Sequence, residues 1–409
     1  MPDLQLLKRE VEEVLHNNIL RFWLDHMQDP ENGGFYGQMT GDGSLVKEAN
    51  KGCILNARIL WSFSAAYRVT GRAEYLEAAT RAKDYILQYF VDREYGGTYW
   101  ALDCKGVPVD TKKQFYAIGF CIYGLSEYAR ATQSSEALDC ALSLYLSIEE
   151  HSLDPVHNGY IEACTREWGE IADMRLSELD ANYPKSQNTH LHIIEPYANL
   201  YRVLKALRPD APETARVEKS LRNLIDIFCD KILNPETHHL DLFFENDWTR
   251  GAGALESYGH DIECSWLMHE AALVLGDPII LNKVEPIVQL VANASEKGLN
   301  DDGSMVHEAN LDTGYVDTDR HWWVQAETVV GFYNVYQHFG DTSALDKALR
   351  CWQYIKDNLI DREGGEWFWS RDPERRINRR DDKAGFWKCP YHNSRMCLEL
   401  MERTGEIKN

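Results

Sequence analysis

The residues able to do chemistry in this sequence are few and recur at helical spacing. His260 precedes Glu263 by three residues, Asn188 precedes His192 by four, and His392 precedes Arg395 by three. On a helix each of these pairs shares a face. Arg58, Tyr116, the Trp322-Trp323 pair with Glu327, and Trp387 likewise interrupt stretches that are otherwise apolar. Histidine titrates near neutrality and gives or takes a proton there. Arginine and helix N-termini favour developing negative charge. Aromatic faces suit the C–H surfaces of a sugar, and polar side chains suit its hydroxyls. Gathered in one place, these residues make a carbohydrate-type site.

Helices must do the gathering. The stretch 51–67 is apolar nearly all round, as a helix buried on both sides requires, and 112–130, 188–206, 258–275, 322–339 and 388–404 match it. The stretch 74–90 instead places Tyr75, Leu76, Ala79, Ala82, Tyr85, Ile86 and Tyr89 at three- and four-residue steps, with charges opposite. Segments 5–25, 135–150, 213–231, 278–296 and 343–359 behave the same way and read as half-buried outer helices. Outer and inner helices therefore alternate, six of each.

A turn signature separates them. Asp29-Pro30-Glu31-Asn32-Gly33-Gly34 returns as Asp92-Arg93-Glu94-Tyr95-Gly96-Gly97 and Asp361-Arg362-Glu363-Gly364-Gly365, with weaker copies at 154–160, 234–239 and 301–303. The copies fall about 60 to 65 residues apart, with one stretched unit near His238, the span of a supersecondary repeat. Tandem glycines permit positive φ, so each copy predicts a tight turn in a short hairpin. The polar end caps of an open solenoid are missing, so the six units are expected to close into an all-α (α/α)6 barrel, with 1–409 as a single catalytic domain. Its inner helices would run parallel and present the residues above at one mouth.

Each of those residues also has a plain structural reading. A lone buried histidine is most often a satisfied core residue, Trp322-Trp323 could fill the barrel, and Arg58 could pair a buried glutamate. Three histidines from three inner helices at equivalent positions argue for function. His190 is two residues from His192 and is expected to face outward, while His238-His239 is a weak metal signal. His269-Glu270 lacks the second histidine of a zinc HExxH motif. Phosphate-binding glycine loops and nucleophile elbows are lacking as well, so neither a cofactor nor a metal is expected.

Composition narrows the partners. The chain carries 43 basic and 65 acidic residues for a net charge of −22, which opposes nucleic acid and anionic membrane surfaces. No apolar run approaches membrane-spanning length, and the Met1-Pro2-Asp3-Leu4-Gln5 start lacks a signal-peptide layout. Ten cysteines without a CxxC pair suit a reducing cytoplasm. A small-molecule ligand, and a monomer or weak homodimer, are the expectations.

Five segments carry a family resemblance: 29–37, Lys51-Gly52-Cys53-Ile54-Leu55-Asn56-Ala57-Arg58, Ser257-Tyr258-Gly259-His260-Asp261-Ile262-Glu263, Trp322-Trp323-Val324-Gln325-Ala326-Glu327, and Gly385-Phe386-Trp387-Lys388-Cys389-Pro390-Tyr391-His392-Asn393. In this order, and over the full length, the sequence resembles the N-acylglucosamine 2-epimerase superfamily. The resemblance implies an (α/α)6 barrel that inverts C2 of an aldose at a reducing end, here of a β-1,4-linked disaccharide. It places Arg58, Tyr116, Asn188, His192, His260, Glu263, Trp387 and His392 in the site. Under it, His260 and His392 form the acid/base pair, and His192 with Arg58 holds the C1 or ring oxygen. Glu263 orients His260, Tyr116 and Asn188 bind hydroxyls, and Trp387 with Trp322 or Trp323 stacks on sugar rings. The polar stretch 173–188 departs from the family and reads as a loop near the mouth. The rivals are a monosaccharide epimerase or aldose–ketose isomerase, a glycoside hydrolase using two of Glu195, Glu263, Glu308 and Glu327, and a non-catalytic binding protein.

Overall fold

The computed structural model describes residues 3–404; Met1, Pro2 and 405–409 lie outside the described residues. The order of elements is that of the repeat. Outer helix α1 (Leu4–Val14, a π turn Leu15–Ile19, then Leu20–His26) is followed by inner α2 (Cys53–Thr70). The next pairs are α3 (Ala73–Tyr85, with π turn Ile86–Phe90) and α4 (Phe115–Thr132), then α5 (Ser135–His151) and α6 (Gln187–Leu207). They continue with α7 (Pro212–Ile227, with π turn Phe228–Ile232) and α8 (Tyr258–Leu275), then α9 (Pro278–Ser295) and α10 (Trp322–Phe339). The last pair is α11 (Thr342–Asn358) and α12 (Tyr391–Arg403). Each inner helix packs on the next, and α12 returns to α2. The ring closes as an (α/α)6 barrel. No helix among the described residues is long and apolar enough to cross a membrane.

Burial explains the two helix types. In α2 every residue from Cys53 to Ala66 is buried, whereas α11 buries one stripe through Ala344, Leu345, Ala348, Cys351, Trp352 and Ile355. Inner helices also approach closely. A Cβ on Gly119 of α4 would lie 2.5 Å from the His192 carbonyl oxygen, and one on Gly124 would lie 2.7 Å from that of Ala57. Glycine there lets the backbones of α4, α6 and α2 meet.

The turns do more than reverse the chain. Asp29 accepts the backbone N–H groups of Glu31 and Asn32 and takes Lys51 Nζ at 2.8 Å, and that lysine also donates to the Gly33 carbonyl at 2.8 Å. Asp92 with Lys113 (2.8 Å) and Asp154 with Lys185 (2.7 Å) repeat the device. Each lysine lies two residues before its inner helix, so the latch fixes where the helix begins. The fourth unit inverts the chemistry: Glu256 takes the lysine's place and Lys297 donates to it at 2.7 Å. The glycine register also resolves here. Gly33, Gly96, Gly303 and Gly365 have positive φ, and Asn158 and His238 take the equivalent place at φ 66° and 62°. The stretched unit is long because it holds the irregular segment before α6.

Burial works against the charge of Asp29, but the bonds from Lys51 and Asn32 outweigh it and hold the carboxyl below its ordinary 3.8. Its contribution to stability is therefore present above that value and is lost as pH falls through the lower, folded one. Lys51→Met, which leaves Asp29 buried without its partner, should lower Tm by about 3–6 °C in a thermal scan at pH 7. Lys105→Met, at an exposed lysine, should leave it unchanged. An unaltered Tm for Lys51→Met would show that the latch contributes nothing.

Candidate active site

The ten residues that the resemblance brings to the site line one cavity of about 280 Å³ at the N-terminal end of the inner helices, and Glu327 and Arg395 lie beneath it. The register explains their convergence. Arg58, His192, Glu263 and Glu327 are the sixth residues of α2, α6, α8 and α10, and Tyr116, Asn188, Trp323 and His392 are the second residues of α4, α6, α10 and α12. Gly259, in the second place of α8, leaves room for Trp323, whose indole would lie 2.6 Å from a Cβ there. Trp323 stands between His260 and His392, with ring centroids 4.8 and 5.6 Å away. Trp322 is buried against Trp369 at 4.7 Å, beneath Lys388. Trp387 closes another side beside Tyr116 and Trp100.

Each histidine is held through Nδ1. His392 Nδ1 lies 2.7 Å from Glu327 Oε1, His192 Nδ1 lies 2.6 Å from Glu195 Oε1, and His260 Nδ1 lies 2.7 Å from Ser257 Oγ. None of the three Nε2 atoms has a hydrogen-bond partner among the described residues, so Nε2 is the atom each presents to the cavity. A carboxylate on Nδ1 fixes the tautomer with its lone pair on Nε2, as a base requires.

The expected role of Glu263 needs correction. It does not touch His260: its Oε1 accepts from Arg395 Nη2 at 2.5 Å and lies 3.8 Å from His392 Nδ1. A three-residue step puts two side chains on one face but does not make them meet. Glu263 reaches down to a buried guanidinium, and His260 reaches back to Ser257. Arg395 also donates to Glu195 at 2.6 Å and to Glu327 at 2.7 Å. His190 points away from the cavity but is fully buried, with Nε2 accepting from the Tyr160 N–H at 2.9 Å. His239 is a buried partner of Asp261 at 2.6 Å.

Electrostatics follow from this packing. Burial pushes His260 down to about 3, helped by His192, His307 and His392. Burial likewise brings His392 to about 3 against the pull of Glu327, and lowers His192. Burial also opposes the charge on Glu327, yet Arg395 and His392 hold it near 2. Glu263 is pushed well above the carboxylate range, by burial first and by Glu327 next. Arg58 donates to Tyr116 Oη at 2.9 Å and packs on Phe120 at 4.2 Å, and no carboxylate among the described residues pairs with it. Its positive charge faces the cavity.

Among the described residues, two groupings have metal-ligand composition. In Glu263, Glu327 and His392, Arg395 Nη2 already bonds both carboxylates. In His307, Asp317 and His321 the two rings lie parallel, 4.2 Å apart at 9°, so their in-plane lone pairs do not converge on one ion. Both fit a cation poorly.

A second cavity, about 260 Å³, adjoins the first and shares Asn188, His260, His307 and the loop residues Leu176, Ser177, Leu179 and Asp180. Glu162 Oε1, Gln187 Nε2 and Asn188 Oδ1 are buried there without protein partners among the described residues. Sequence reading missed Glu162, His307 and Trp369 on these walls. The bridge register of the folded repeat aligns them. The first N–H of α2, α4, α6 and α10 donates to the carbonyl of Trp100, Glu162, Leu242 and Trp369, each two residues past the turn's bridge residue.

Residues 34–395 match the family model described as N-acylglucosamine 2-epimerase (GlcNAc 2-epimerase). The chain belongs to the N-acylglucosamine 2-epimerase family. It is a carbohydrate epimerase. Within curated proteins it is 57% identical to a cellobiose 2-epimerase of Bacteroides fragilis over 97% of this chain and 99% of that one. It is 39% identical to one of Ruminococcus albus, with 97% and 99% covered. The solved cellobiose 2-epimerase of Bacillus thermoamylovorans B4167 superposes with a TM-score of 0.90 at 42% identity, over 98% of this chain and 100% of that one.

The histidine environments give a direct expectation for this epimerase. With 15N-labelled histidine, His260 and His392 should remain neutral at pH 6, well above their folded values and below the ordinary 6.5. An imidazolium signal from either at that pH would contradict the burial argument.

Proposed function

We propose that this chain is a cellobiose 2-epimerase, which interconverts glucose and mannose at the reducing end of β-1,4-linked disaccharides, cellobiose and lactose included. The observation that carries the disaccharide is the two-lobed cleft. The lobe holding the three histidines takes the reducing unit, and the adjoining lobe, with its unpartnered amide and carboxyl atoms, supplies hydroxyl contacts for the second. We assign 1–409 as one catalytic domain working as a monomer or weak homodimer. The free cysteines support a cytoplasmic setting.

The chemistry is proton transfer at carbon. With the sugar open, Nε2 of His392 or His260 takes the C2 proton, and the C–H electron pair becomes the C1–C2 double bond. Charge moves to the C1 oxygen, where Arg58 and His192 stabilise it. The first imidazole passes that proton on to solvent, and the other takes one up and delivers it to C2 on the opposite face. Tyr116 and Asn188 bind hydroxyls, and Trp323 and Trp387 face the ring surfaces. Glu263 supports this set from below through Arg395. Glu195 and Glu327 are committed to histidines and Arg395, which disfavours a two-carboxylate hydrolase.

His260→Ala and His392→Ala should each reduce kcat on cellobiose by about 1,000-fold or more, with Tm within a few degrees of the parent. An active single variant of normal stability would remove that residue from the acid/base pair. Turnover of mannose but not cellobiose would move the chain to monosaccharides. Glucose release would make it a hydrolase. Activity should survive EDTA and dialysis; a loss restored by divalent metal would overturn the metal-free mechanism.

A further inference from the structure

The floor of the cavity holds more charge than the reaction scheme uses. A continuous chain runs from His192 through Glu195, Arg395 and Glu327 to His392, with separations of 2.6, 2.6, 2.7 and 2.7 Å. Arg395 is wholly buried and clamped between Trp266 at 4.7 Å and Tyr391 at 4.3 Å. Its planar fork cannot turn away from one carboxylate without losing the others. Tyr391 Oη donates to Glu195 at 2.5 Å, and Trp266 Nε1 donates to Glu327 at 2.9 Å, so the carboxylates are fixed too.

Count the charges that face this point. Helices α6, α8 and α10 supply one carboxyl each, from Glu195, Glu263 and Glu327, and α2 and α12 supply the guanidiniums of Arg58 and Arg395. The other titratable neighbours are Tyr116 and Tyr123 on α4, His260 on α8, Tyr391 on α12 and the Cys389 thiol just before it. Three carboxyls against two guanidiniums leave one negative charge among buried side chains. Neutrality requires one added proton and is lost with two.

We propose that Arg395 is a positioning residue that joins the two histidine–glutamate pairs into one unit holding a single mobile proton, carried by Glu263 or His192 before C2 is deprotonated and by His392 after it. The inference rests on the epimerase reading and extends it. With that proton on His192, the imidazolium points at the C1 oxygen while His392 is neutral and able to accept the C2 proton. As the C2–H bond breaks, the C1 oxygen takes the proton from His192, and His392 gains the one from C2. Substrate leaves the step as a neutral enediol, and the proton count of the unit is unchanged. Acid and base are kept in opposite states by one shared charge balance.

The test is a double-mutant cycle with a titration. Glu195→Gln and Glu327→Gln should each lower kcat on cellobiose by about 100-fold with KM within about 3-fold. The double variant should be no more than about 10-fold worse than the poorer single. In 15N-histidine spectra, Glu195→Gln should move the His392 titration downward, because Arg395 then has one carboxylate fewer to offset its charge. Losses that multiply, together with an unmoved His392, would establish two independent pairs and overturn the proposal. Thermal scans separate these effects from misfolding, since both variants keep side-chain shape. If no sugar is epimerised, the functional reading fails, but the His392 titration in Glu195→Gln still decides the coupling.

Discussion

Five of the six inner helices follow a short strand paired with the hairpin of the next unit, and the rest of the structure depends on that junction. The first N–H of α2 donates to the Trp100 carbonyl at 3.0 Å, that of α4 to Glu162 at 3.1 Å, and that of α6 to Leu242 at 2.8 Å. These bonds satisfy donors that a helix N-terminus leaves free, and the buried lysines fix the same residues from below. With these helix starts pinned to neighbouring hairpins, the ring closes in one register. Side chains at the second and sixth helical positions are then brought to a common mouth, where the helix N-termini favour an anion.

That mouth shows how charge is tolerated on buried side chains. Arg395 is balanced by carboxylates, whereas Arg58 faces the cavity with no carboxylate partner among the described residues, bonded to Tyr116 and the thiol of Cys389. The first arrangement holds imidazoles in place. The second reserves a positive charge for an oxygen that becomes negative only during reaction, which is where electrostatic stabilisation is most effective.

The alternation of half-buried and fully buried helices was legible in the sequence, because a doubly buried helix such as α2 loses its polar face. The gathering of His192, His260 and His392 was legible for the same reason: a polar residue on such a helix must have a use. What lay outside reach was which group each histidine touches. The step from His192 to Glu195 equals that from His260 to Glu263, yet only the first pair meets. Side-chain direction across a helix face depends on what the facing helices offer, and Arg395, from the far end of the chain, draws Glu263 away. The walls formed by Glu162, His307 and Trp369 were hidden because their hairpins are two or three residues long and their types differ from unit to unit. Only the bridge register, which needs the fold, aligns them.

The central claim is that a proton leaves and re-enters C2 through protein bases. It is tested most directly by incubating the protein with cellobiose in D2O and following the reducing unit by NMR. The account predicts manno product carrying deuterium at C2. Manno product formed with C2 fully protonated from the first turnover would show that the hydrogen never passes to an exchangeable base, and would contradict it.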